Sequence, residues 1–90
     1  MTITNNETVT ETPTATVAGQ VRAELGRARM SARELARQTG RDPQYWYRRV
    51  WGETALNVED LVQVAAVLDV PVSVLVAPLD AERGAAPIGR

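Results

Sequence analysis

Gln44, Tyr47 and Arg48 stand at i, i+3 and i+4, the spacing that brings three side chains onto one face of a helix. Their chemistry is recognition by hydrogen bonds. A guanidinium fork holds guanine by two bonds, worth about 1–3 kcal/mol of discrimination, and a carboxamide holds adenine in the same way. Tyr47, on the outward surface between them, can touch a thymine methyl or a phosphate. Arg33, Arg37, Arg41 and Arg49 surround this trio and suit phosphate contacts, which fix register without reading sequence. Arg33 falls in the first turn of a preceding helix, where unpaired backbone N–H groups also meet phosphate. Ser31 and Tyr45 complete the candidate backbone contacts. Neutralising four phosphates gives a log–log salt slope of roughly −3.6.

The elements that must position these side chains are legible around them. Ser31 is a natural N-cap, and Glu34, three residues later, makes a capping box. A helix over about 32–39 places Leu35, Ala36 and Thr39 on one face, and Gly40 stops it by entering a left-handed turn. Asp42 caps a second helix, Pro43 fits its first position, and Gly52 closes it. Trp46 and Val50, four apart, form its buried stripe, so Trp46 is read as core. Tyr45 and Trp51 can each rest on the domain with the polar edge toward a nucleic-acid backbone; for Trp51 the alternative is burial against 53–58. Consecutive helical positions point in different directions, so Tyr45, Trp46 and Tyr47 do not make one platform for stacked bases.

This arrangement is a helix-turn-helix. The ordered set Leu35-Ala36-x-x-x-Gly40, Tyr45-Trp46-x-Arg48-Arg49-Val50-x-Gly52 and Leu61-x-x-x-Ala65 resembles the phage-repressor type of that family, XRE-like, in its actinobacterial and actinophage versions. The likeness spans residues 17–79. Ala36 is the small residue where the two helices cross. Arg41 stands where the family usually buries an aliphatic residue, and Trp46 is bulkier than its usual leucine. The resemblance implies an all-α fold, a compact bundle of about five short helices. It maps the family's base-reading positions onto Gln44, Tyr47 and Arg48 of the helix at 42–51. It also implies a sequence-specific regulator of transcription, a phage or mobile-element repressor, bound to double-stranded DNA as a homodimer on a palindrome.

Composition narrows the alternatives. The 90-residue chain has neither Cys nor His, which removes disulfides, thiol nucleophiles, the usual zinc ligands and the commonest general base at neutral pH. That set argues against an enzyme, and nothing in it calls for a metal, a cofactor or a small-molecule substrate. The net charge of −1 conceals a segregation. All ten basic residues are Arg; positions 22–49 hold eight of them against Glu24, Glu34 and Asp42, a local balance of +5. Positions 50–80 carry five acids and no base. DNA feels the local field, not the total. No apolar run is long enough to span a membrane, and MTITNNET lacks the features of a signal peptide, so the expected location is the cytoplasm.

Three regions are expected: a disordered leader over 1–14, a folded domain over 15–79 and a flexible tail over 80–90. Glu7 and Glu11 argue against the leader being an arm along a DNA groove. The first helix is expected from 15 or 16 to 29, with Val17, Val21, Leu25 and Ala28 as its stripe and Met30 tucked in behind. Gly19 and Gly26 each cost it about 1 kcal/mol relative to Ala, so it depends on packing. Asn57 caps a fourth helix, with Asp60 as capping-box partner and Leu61, Val64, Ala65 and Leu68 facing inward. The segment 72–77 reads as a short fifth helix closed by Pro78, with a strand as the alternative because its valines alternate. Val62, Val67, Val72, Val74 and Val76 are the candidate dimer contact. An excisionase-like recombination factor, an antitoxin and a protein-binding adaptor are the other roles that such a scaffold takes.

Overall fold

The computed structural model describes residues 12–85, and among them every regular element is a helix. α1 is Pro13–Arg27, α2 Ala32–Thr39, α3 Pro43–Val50, α4 Val58–Leu68 and α5 Val72–Ala85. The largest fully buried apolar side chains come one from each helix and join a common core: Val21, Leu35, Trp46, Val64 and Leu75. α2 packs chiefly on α3, and α1 chiefly on α5. Trp46 is the largest of the five, and its buried indole N–H donates to Thr39 Oγ1 at 2.8 Å. Thr39 in turn donates to the Leu35 carbonyl, so the polar atoms in this part of the core are paired.

Four helices end by one device, in which a residue enters the left-handed region and the next N–H reaches back five residues. The closing bonds run from Met30 to Leu25, Arg41 to Ala36, Glu53 to Arg48 and Val70 to Ala65, at 2.7–3.0 Å. The left-handed residues are Arg29, Gly40, Gly52 and Asp69, with φ of 57°, 70°, 81° and 58°. Only two of the four are glycine. α1 therefore stops at Arg27, two residues short of the expected end, and Ala28 is an exposed cap instead of a member of the stripe. At the other end Thr12 caps α1 and Pro13 and Thr14 are helical, which shortens the expected leader; residues 1–11 lie outside the described residues.

The fifth helix does not stop at Pro78. It runs on to Ala85, so residues 80–85, expected in a flexible tail, are helical, and 86–90 lie outside the described residues. A proline inside a helix leaves the carbonyl four residues earlier without its N–H partner. Here that carbonyl belongs to Val74, and Gln20 of α1 donates Nε2–H to it at 2.9 Å. A side chain from the neighbouring helix replaces the bond that proline removes.

Helical geometry at 72–77 also divides the valines. Val67 and Val76 pack against the core and Val74 is half-buried, whereas Val62 and Val72 remain exposed. The expected five-valine face is not one patch, because a 100° turn per residue sends alternate positions to different sides. Among the described residues no single helix is long and apolar enough to cross a membrane.

Candidate nucleic-acid interface

α2 begins where Ser31 Oγ accepts the Glu34 N–H at 3.0 Å. The capping box is only half made, because the Glu34 carboxylate turns away to Arg37 and Gln38. Arg37 Nε lies 2.9 Å from Glu34 Oε1, and the fork is completed by Nη2. Gly40 carries the chain through the left-handed turn, and Asp42 then accepts the Gln44 N–H at 2.8 Å to start α3 on Pro43. The reciprocal capping box forms at α4 instead, between Asn57 and Asp60.

α3 sorts its residues into three sides. Trp46 and Val50 face the core. Tyr45 and Arg49 lie half-buried along the flank nearest α4. Gln44, Tyr47, Arg48 and Trp51 all point outward and are exposed. The three expected base-reading residues therefore share one open face, and Trp51, 61% exposed, extends it by a turn. Arg48 enters none of the ion pairs among the described residues.

Arg49 and Tyr45, expected among the backbone contacts, are turned to a partner inside the fold. Asp60 is fully buried, and Arg49 Nε donates to it at 2.8 Å while the Tyr45 hydroxyl donates to its other oxygen. The Asn57 N–H completes the shell at 3.0 Å. A carboxylate removed from water must be paired, and this one claims the nearest arginine and tyrosine. The hydrogen bond to Asp60, followed by burial, raises the Tyr45 hydroxyl above its usual pKa of 10. The sequence reading gave Asp60 its capping role, which it has, and missed its pairing with Arg49 and Tyr45. Its signal was present, since it lies four residues before Val64 on the inward stripe of α4, where a lone carboxylate demands an internal partner.

Arg41 is partly withdrawn as well. Its Nε donates to Gln63 Oε1 at 3.0 Å, and its guanidinium lies 4.3 Å from the centre of the Tyr45 ring. Ser31, Arg33 and Arg37 stay exposed. Together with Glu34, Arg41 and Pro43 they line a cleft of about 390 Å³ along the outer side of α2. Within it Glu34 is held at a pKa of about 2, below the usual 4.5, mainly by the Arg37 hydrogen bond and then by Gln38. It stays charged and offsets one of the three arginines there.

A second depression, of about 340 Å³, lies between the ends of α1 and α2 and the outward side of α3. Met30, Val50, Tyr47 and Trp51 are among the residues that line it. Arg22 also lines it, with Nη1 donating to the Val50 carbonyl at 2.6 Å and the guanidinium 4.9 Å from the Trp51 ring centre. Ser31 borders both depressions. In comparisons with family models, curated proteins and solved structures, the chain matches none of them.

Proposed function

We propose that this chain is a sequence-specific regulator of transcription that binds double-stranded DNA through a phage-repressor-type helix-turn-helix made of α2, the Gly40 turn and α3. α3 enters the major groove and α2 crosses above it, braced on the backbone. The observation that carries this reading is the open face of α3. Gln44, Tyr47 and Arg48 point away from the core together, while the next arginine is locked inward. Arg48 and Gln44 read bases, with Tyr47 beside them; Ser31, Arg33 and Arg37 hold the phosphates. With Arg49 inside the fold and Arg41 engaged by Gln63, two strong phosphate contacts remain per copy, and the expected salt slope falls to roughly −1.8.

One short helix reads few base pairs, so high specificity requires two copies on a palindrome. Val62 and Val72, the members of the valine set that stay exposed, are the contact that joins them. Selection of bound duplexes from a random pool tests the reading directly. A palindromic consensus is expected, with binding lost between low salt and 0.5 M salt. Arg48→Ala should broaden the consensus at one position in each half-site, whereas Arg37→Ala should weaken all duplexes by a similar factor. Absence of any salt-sensitive duplex binding would overturn the proposal.

A further inference from the structure

We infer that Arg29, in the turn between α1 and α2, is a further DNA phosphate contact, and that its side chain is the reason a strained backbone stands there. The inference rests on the DNA-binding reading and adds to it a residue outside the helix-turn-helix. Arg29 takes φ of 57° to close α1, the left-handed conformation that glycine adopts freely and a residue with a Cβ does not. Gly40 and Gly52 fill the same role at the next two helix ends, and Asp69 is of a type that tolerates it. Arginine is the one of the four whose side chain does nothing to ease that turn. A backbone outlier of this kind points to a use for the side chain that it carries.

The surroundings say what that use is. Arg29 is exposed, and its guanidinium enters no ion pair among the described residues. Arg27, two positions earlier, is paired with the buried Glu24, so the cation left over at this end of α1 is Arg29. Met30 and Ser31, the next two residues, line the same depression as Tyr47 and Trp51, which sets the turn at the margin of the outward face of α3. Ser31 also lines the cleft that holds Arg33 and Arg37. An unpaired guanidinium at the edge of a surface turned to DNA meets the strand's backbone, where a phosphate takes it in charge-assisted hydrogen bonds. With Arg33 and Arg37 it makes three phosphate contacts per copy, and the log–log salt slope becomes roughly −2.7 in place of −1.8.

The test uses the full chain, a duplex that it has selected from a random pool and an unrelated duplex. Arg29→Gly should bind both about tenfold more weakly at low salt, with a slope shallower by about 0.9 per copy. The same variant should unfold at a higher denaturant concentration than the wild type, because glycine relieves the turn. Arg29→Ala keeps the strain and loses the charge, so it should bind as weakly as Arg29→Gly without the gain in midpoint. Arg29→Lys keeps both, and should retain the full salt slope, since a phosphate accepts lysine as a point charge. Weaker binding together with higher stability is a combination that a purely structural role does not give. Unchanged affinity and slope in Arg29→Gly, or an equal loss of slope in Arg29→Lys, overturns the phosphate contact while leaving the DNA-binding reading intact. Failure to select any duplex overturns both.

Discussion

Arg48 and Arg49 are neighbours in the chain with opposite fates. The first is exposed on the outer face of α3, and the second is paired with a carboxylate that water does not reach. Removing an exposed arginine leaves stability within about 0.5 kcal/mol, whereas stripping a buried carboxylate of its partner costs about 3–5 kcal/mol. Denaturant melts of Arg48→Ala and Arg49→Ala should therefore separate by several kcal/mol, with only the first retaining a native midpoint. A common midpoint for the two variants would contradict the sorting. Tyr45 gives the same network a pH signature. Because its folded pKa is raised, its stabilising contribution is complete below 10 and is lost as pH climbs through the folded value. Tyr45→Phe should remove that alkaline limb of the stability profile and lower stability at neutral pH. Glu34 has the opposite sign. Its folded pKa is depressed, so its contribution is present above 4.5 and fades as pH falls toward about 2.

At the scale of the helices, the left-handed residues set the boundaries. Gly40 has open space where a Cβ would lie, but its φ of 70° strains any other residue, and Gly40→Ala should cost about 1–2 kcal/mol. Arg29 already bears such strain at φ 57°, so Arg29→Gly should raise the unfolding free energy by up to about 1 kcal/mol. Pro78 and Gln20 form a coupled pair across two helices. Gln20→Ala should destabilise the wild type by about 1 kcal/mol, because the Val74 carbonyl loses its donor. In a Pro78→Ala background residue 78 regains an N–H, and the cost should shrink, a coupling that a double-mutant cycle measures.

These same features explain what could be read from the chain alone. Ser31, Asp42, Asn57, Pro43, Gly40 and Gly52 act within three or four residues, so their residue types announce the caps and turns that they make. Arg29 occupies an equivalent position without a telling side chain, whereas Asp69 is of a type that tolerates the left-handed region and stands two residues before Pro71. The passage of α5 through Pro78 depends on a glutamine 54 residues away from the carbonyl that it rescues. The inward turn of Arg49 depends on a carboxylate eleven residues on. Local chemistry was legible, and partnerships made only by packing were not.

Across the whole molecule both signs of charge reach the surface. Arg33, Arg37 and Arg48 are exposed on α2 and α3, while Glu53, Glu59, Asp69 and Asp80, all exposed, lie beyond them in the second half of the chain. Glu34 is the exception, an acid set among the arginines of the cleft. Glu34→Gln should free Arg37 of a competing carboxylate and strengthen DNA binding severalfold at low salt, as a salt titration of affinity would show. The tie from Arg49 to Asp60 has a mechanical consequence at this scale. It pins α3 to α4 through one buried carboxylate, so the open face of the one and the exposed Val62 of the other sit on helices that lose their joint together when either partner is removed.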